Sequence, residues 1–315
     1  MVSHEYSGND MLEENWLHDL YIPSFAVLNG LLVEIILDQH VYGALIAAPA
    51  VATGLYLLYQ YKSRKEIYRK LNLPEHQGVY DGIFTKVRNV IYRSILQDRV
   101  WNYVEGHSEE GNADSVLAAF DDYCYNYEWT WAVGDQKGAV LAQVVQEVSP
   151  KIALELGTYL GYSAIIMAQN MPSDGKLITL EPNPKSAEIA QKIINRAGFG
   201  KMVTIVVGYT EDVIPELRRN YNIETLDMVF LDHNKDAYVS DLNRIEKGEF
   251  LHNGSVVLAD NVEIAPNFSE YIRNSNNYKC NFYEGTVQYG VGVIDGMERG
   301  IFKGADMFSG MTLGL

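Results

Sequence analysis

The chain has 315 residues, 47% hydrophobic and 21% charged, which is enough for one sizeable α/β domain and an additional segment. Its net charge of -16 argues against nucleic acid as a partner, because a polyanion needs a basic surface that releases its counterions. Two cysteines, Cys124 and Cys280, exclude a disulfide framework, and no Cys/His cluster has zinc spacing.

Charge is spread unevenly along the N-terminal part. Residues 1–40 carry Glu5, Asp10, Glu13, Glu14, Asp19, Glu34 and Asp38 and no Lys or Arg. Val41 to Tyr59 then runs without a single charge. As a helix this run measures about 28 Å at 1.5 Å per residue, close to the roughly 30 Å hydrocarbon core of a bilayer. Tyr42, Tyr56, Tyr59 and Tyr61 lie near its ends, where interfacial aromatics sit, and Lys62, Arg64, Lys65, Arg69 and Lys70 come next. The pattern predicts a transmembrane helix over 41–61, and a buried helix of a soluble core is the competing reading. The one-sided basic flank favours the membrane and puts the large C-terminal part of the chain on the cytosolic side. Residues 62–100 read as a juxtamembrane connection, 101–305 as a folded domain and 306–315 as a tail.

From Trp101 onward short apolar runs alternate with helical periodicity. Strands are expected near 151–157, 176–181, 202–207, 226–232 and 254–259, with helices near 137–148, 162–170, 184–197, 211–219 and 238–248. That alternation implies a parallel sheet covered on both faces. Two further strands are expected near 278–284 and 290–295.

The first strand, Ile152 to Leu156, ends at Gly157 and continues through Thr158, Tyr159, Leu160 and Gly161 into a helix. A glycine there allows a tight turn and close approach of a ligand. The second strand ends at Glu181, 26 residues after Glu155, where an acidic side chain can accept hydrogen bonds from ribose hydroxyls. The G-x-x-x-G spacing differs from the dinucleotide fingerprint and suits S-adenosylmethionine, which has no pyrophosphate to wrap.

The fourth and fifth strands each end in oxygen ligands, Asp232 on one and Asp260 and Asn261 on the other. Ligands of open α/β sheets bind outside the carboxyl ends of strands, so these three should converge beside the cofactor. Oxygen ligands without Cys or His describe a hard cation, and magnesium would keep positions open for substrate oxygens. Singly, each reads better as a turn or cap residue, and it is the set, in register with the glycine turn, that points to a cation. Lys235 lies three residues after Asp232; a neighbouring cation would disfavour its ammonium form, which makes it a candidate general base.

These residues resemble those of the catechol O-methyltransferase family, including its transmembrane relatives. The likeness spans about 100–303 and rests on E-W-T-W-A-V-G-D-Q-K-G (128–138), L-E-L-G-T-Y-L-G-Y-S-A (154–164), T-L-D-M-V-F-L-D-H-N-K-D (225–236) and L-A-D-N-V (258–262). It implies a Rossmann-like class I methyltransferase fold, a seven-stranded, mostly parallel sheet with helices on both faces. It further implies magnesium-dependent methylation of a catechol such as a catecholamine. Asp232, Asp260 and Asn261 match the family's magnesium ligands and Lys235 its base. Val133, Glu155, Gly157, Tyr159, Ser163, Glu181, Asp232 and His233 match the cofactor site, with Thr210, Glu211 and His233 around adenine. Trp129, Trp131, Lys235, Asn261 and Gln288 match the substrate slot.

The chain departs from the family at the substrate wall. Gln288 replaces a glutamate that bonds the second catechol hydroxyl, where a charged partner is worth about 1.5–3 kcal/mol and a neutral one about 1. Asn234 replaces a tryptophan beside adenine, Trp131 replaces a methionine, and the loop with Gly290 and Gly292 is one residue longer. A membrane partner protein that keeps the fold without the activity is the alternative reading of the same features.

Overall fold

The structure, a computed structural model, describes residue 89, residues 94–286 and residues 294–304. The expected transmembrane helix, nearly all of the juxtamembrane connection, Gln288 with its glycine-rich loop, and the tail lie outside the described residues. Among the described residues, no helix is long and apolar enough to cross a membrane.

Among the described residues, the sheet is preceded by α1 (Leu96–His107), α2 (Ala113–Asn126) and α3 (Gly134–Val148). Then β1 (Ile152–Leu156), α4 (Tyr162–Asn170), β2 (Lys176–Glu181), α5 (Pro184–Arg196) and β3 (Val203–Val207) alternate. After two short helices, α6 (Thr210–Val213) and α7 (Leu217–Tyr221), come β4 (Leu226–Leu231), α8 (Tyr238–Lys247), β5 (Leu251–Ala259), α9 (Pro266–Asn274), β6 (Tyr278–Thr286) and β7 (Ile294–Phe302). The expected boundary at 100/101 falls inside α1. Val100 and Val104 are fully buried on that helix, so the fold reaches back before Trp101.

The strands form one sheet in the order β3-β2-β1-β4-β5-β7-β6. Pairs among β1 to β5 are parallel, and β7 inserts antiparallel between β5 and β6. Alternation along the strands builds two cores, because successive side chains point to opposite faces. Met228, Phe230, Val256 and Leu258 pack with α1 to α5. Val229, Leu231, Val257 and Ala259 pack with the helices that come after β3, through Leu217, Leu242 and Phe268. At about 25 cal/mol per Å² of apolar surface removed from water, each buried side chain of this size contributes roughly 1.5–3 kcal/mol.

The sequence places the last strand too early. Among the described residues it runs over Ile294–Phe302, past the expected end at 295, while 290–293 lie outside the described residues. Asp295, Glu298 and Arg299 disguise it as a polar segment, but Asp295 and Glu298 are buried against cations supplied by other elements: Lys137 from α3 and Arg273 from α9.

Candidate active site

The sheet reverses its strand order between β1 and β4, so a crevice opens above the carboxyl ends of β1, β2, β4 and β5. The chain is knitted together there. Gly157 and Thr158 donate to Leu180 O at 3.1 Å, Asp232 N donates to Leu156 O at 2.9 Å, and Asp260 N to Leu231 O at 2.9 Å. Gly157 has φ +103°, and a Cβ added to it would lie 2.3 Å from the Asp232 carbonyl oxygen. Only glycine lets the β1 turn and the β4 turn touch. Tyr159 also takes a left-handed conformation, φ 47°.

Glu155 is fully buried in β1 and accepts from Thr179 Oγ1 at 2.5 Å. Burial pushes its carboxyl up to about 7, against the pull of the Ser163 and Thr179 hydroxyls. Its Oε1 has no hydrogen-bond partner of normal geometry. Glu181 accepts two backbone N–H groups, from Tyr159 to Oε2 at 2.8 Å and from Asn183 to Oε1 at 2.9 Å. Burial still raises it above the usual glutamate range. Ser163 is buried in the first turn of α4, and Val133 is buried at the start of α3.

Thr210 and His233 meet on one partner that sequence reasoning missed. Asp241 of α8, fully buried, accepts from Thr210 Oγ1 at 2.7 Å, pairs with His233 Nε2 at 2.7 Å and with Arg244 at 2.5 Å. Burial opposes ionisation of Asp241, but these partners hold it below the usual aspartate range. His233 Nδ1 is left buried with no hydrogen-bond partner. Glu211, in contrast, is exposed. Asn234 is exposed as well and caps the next turn, accepting from Asp236 N at 3.2 Å.

Lys235 Nζ donates to Asp232 Oδ1 and to the Tyr238 hydroxyl, both at 2.8 Å. The Tyr238 hydroxyl donates in turn to the backbone oxygen of Asp260 at 3.1 Å. Asp260 is buried; desolvation and the charge of Asp232 push its carboxyl up to about 7, although Lys137 pulls the other way. Asn261 takes a left-handed conformation, φ 53°. Trp129 and Trp131 meet edge to face with ring centroids 4.2 Å apart, and Trp131 is 64% exposed. A groove of about 740 Å³ reaches Lys235 and is lined also by Val239, Ile264 and Tyr271.

Among the described residues no cluster of three or more His, Cys, Asp or Glu side chains could hold a metal ion. The expected set is two carboxylates and one amide, and its chemistry fits a hard divalent cation. Lys137 Nζ lies 2.7 Å from Asp260 Oδ1 and 2.9 Å from Oδ2, so one ammonium spans both oxygens. Two neighbouring carboxylates that repel each other are an arrangement that added positive charge relieves. Besides Asp241, sequence reasoning passed over Lys137, Tyr238 and Asp295. Lys137 and Asp241 left a signal, since each shares a helix face with apolar residues: Lys137 with Leu141 and Val144, Asp241 with Tyr238 and Ile245.

A family model described as O-methyltransferase matches residues 108–277. Catechol O-methyltransferase of Mus musculus is 39% identical over 229 residues, 72% of this chain and 86% of that protein. Transmembrane O-methyltransferase of Homo sapiens is 34% identical over 229 residues, 69% of this chain and 79% of that protein. Among solved structures, an O-methyltransferase from Bacillus cereus in complex with SAH shares the fold, with a TM-score of 0.50 at 23% identity over 64% of this chain and 91% of that one.

Proposed function

Because the chain belongs to the O-methyltransferase family, with relatives named catechol O-methyltransferase, we propose that it methylates one hydroxyl of a catechol in a magnesium-dependent reaction. It is an S-adenosylmethionine-dependent methyltransferase by family, and the substrate, the metal and the residue roles are our reading. The observation that carries this reading is the meeting of Asp232, Lys235 and Asp260 at the ends of β4 and β5, beside the Gly157 turn.

When bound, the cofactor supplies the methyl group and the cation supplies Lewis acidity toward the diphenol oxygens. Asp232, Asp260 and Asn261 would hold the cation. Glu155, Tyr159, Ser163 and Glu181 would seat the cofactor's amino-acid and ribose parts, and Val133 would line the same seat. Thr210, Glu211 and His233 would face adenine. Trp129 and Trp131 would wall the aromatic ring, and Gln288 would bond the second hydroxyl. Lys235 takes the proton of the attacked hydroxyl at Nζ, and Tyr238 holds that nitrogen in place. The protein's main contribution is orientation, because two reactants held in line gain most of what proximity can give.

The uncharged run from Val41 to Tyr59 and its basic flank support a membrane anchor over 41–61, with the folded domain that begins with α1 on the cytosolic side. The relative named transmembrane O-methyltransferase is consistent with that.

The test is turnover of the cofactor by the full chain across a panel of diphenols, dopamine included, with and without Mg²⁺. Magnesium-dependent methylation is expected. Absence of turnover with every diphenol, while SAH still binds, would sink the catalytic reading and favour a membrane partner protein that retains the fold.

A further inference from the structure

Lys137 is 2% exposed, on the face of α3 that packs against the sheet. A charge in such a place calls for an explanation, because a buried ion pair seldom stabilises more than apolar residues of the same volume. Its Nζ bonds Asp260 Oδ2 at 2.9 Å and Asp295 Oδ2 at 2.7 Å. The two carboxylates outweigh burial and raise the ammonium above the ordinary lysine range. Asp295 Oδ2 accepts a second bond, from Asn261 Nδ2 at 2.7 Å. One lysine and one aspartate thus tie together two of the three expected cation ligands.

The tie arises from topology. In the antiparallel β5–β7 pair, Ala259 lies opposite Glu298. Asp295, three residues earlier on β7, therefore reaches past the end of β5 to the turn that carries Asp260 and Asn261. Asn261 stands in the left-handed region, which asparagine tolerates better than most residues, and its amide faces β7.

We propose that Asp295, pinned by Lys137, is a positioning residue that orients the Asn261 amide for a divalent cation. An asparagine side chain binds a cation only through Oδ1, and a half-turn of the amide would present Nδ2 instead. Asp295 accepts only from Nδ2, so it fixes the amide with Oδ1 free. Lys137 neutralises Asp295 and holds Asp260 at the same time, so both ligands share one brace. The inference rests on the reading of Asp232, Asp260 and Asn261 as the ligand set.

The experiment is a Mn²⁺ titration of the full chain monitored by electron paramagnetic resonance, with SAH binding measured on the same samples. Loss of such an outer partner typically costs 10–100-fold in metal affinity, and Asp295→Ala should weaken Mn²⁺ by that factor while SAH affinity holds. Asp295→Asn keeps an acceptor and should lose less. Asn261→Asp adds charge to a ligand, which ordinarily tightens a divalent cation. Here it sets two carboxylates against each other and should weaken Mn²⁺ at least tenfold. Adding Asp295→Asn to Asn261→Asp should restore affinity to within threefold of the wild type, because the new amide donates to the new carboxylate. This swap keeps the test decisive if Asp295→Ala does not fold, and a merely structural brace would not reproduce the recovery. Wild-type Mn²⁺ binding with Asp295→Ala within twofold of it, or no recovery in the double variant, overturns this inference alone. A wild type that binds no Mn²⁺ overturns the metal reading of the proposed function and this inference with it.

Discussion

The Tyr238 hydroxyl accepts a hydrogen bond from Lys235 Nζ at 2.8 Å, on a ring packed edge to face against Phe268. Among the described residues, the lysine's other hydrogen-bond anchor there is Asp232 Oδ1. Asp232 is also an expected cation ligand, so a bound ion and the Lys235 ammonium compete for one carboxylate. Tyr238 is then what keeps the nitrogen in place. Tyr238→Phe preserves the buried ring and removes the acceptor. We expect kcat to fall about tenfold, a fraction of the 10²–10⁴-fold that a general base supplies, with KM for the diphenol changed by less than about threefold. Steady-state kinetics decide it, and a kcat within twofold of the wild type would show that Lys235 needs no such anchor.

Glu155 predicts a pH dependence of stability. Burial raises its folded-state value to about 7, while the unfolded chain ionises near 4.5. The folded state therefore holds the proton more tightly. The stability linked to that proton is fully present below about 4.5 and is lost as pH rises to about 7. That difference in pKa corresponds to about 3 kcal/mol. Glu155→Gln should erase this loss, so chemical denaturation should find the variant more stable than wild type at pH 8 and no more stable at pH 4. A cationic cofactor beside Glu155 should also favour the charged form. S-adenosylmethionine binding at pH 6–7 should then release a proton in the wild type and none from this site in the variant, measurable by calorimetry in buffers of different ionisation enthalpy.

The strands and helices that frame the crevice are legible in the chain itself, because four of the five parallel strands, β1, β2, β4 and β5, finish in an apolar run closed by Gly157, Glu181, Asp232 or Asp260. Those terminal residues are also the expected site residues, so the strand ends and the candidate site are read from the same positions. β7 is not legible in this way. Its carboxylates are neutralised by Lys137 and Arg273, on other elements, and a local pattern carries no trace of such pairing. Asp241 is legible only in part: its place among the apolar residues of α8 shows in the chain, but its partners Thr210, at the start of α6, and His233, after β4, do not.

Gly157→Ala tests the contact between the β1 and β4 turns. The substitution places a Cβ 2.3 Å from the Asp232 backbone oxygen and forces alanine to φ +103°. A residue held in such a conformation costs about 1–3 kcal/mol before the clash is counted. Relief by backbone movement would displace Asp232 itself. We therefore expect a stability loss of at least about 2 kcal/mol together with weaker SAH binding. Thermal unfolding and calorimetry check both. Unchanged SAH affinity in a destabilised but folded variant would mean that this turn shapes the fold and not the ligand.

Asp241→Ala tests the expected adenine side of the crevice. The carboxylate lies on the core side of α8 and holds Thr210, His233 and Arg244 at once. Its removal leaves His233 Nε2 without its hydrogen-bond partner beside an Nδ1 that already lacks one, and such a group costs about 1–3 kcal/mol. Arg244 is partly exposed and should contribute little, because solvent takes over its charge. We expect about 2 kcal/mol of lost stability by chemical denaturation. SAH affinity should fall at least fivefold if His233 and Thr210 face adenine, because both would lose their orientation. Asp241→Asn keeps one acceptor oxygen for Thr210 and should retain more of that affinity than Asp241→Ala. Equal SAH affinity in the two variants and the wild type would remove His233 and Thr210 from the cofactor site.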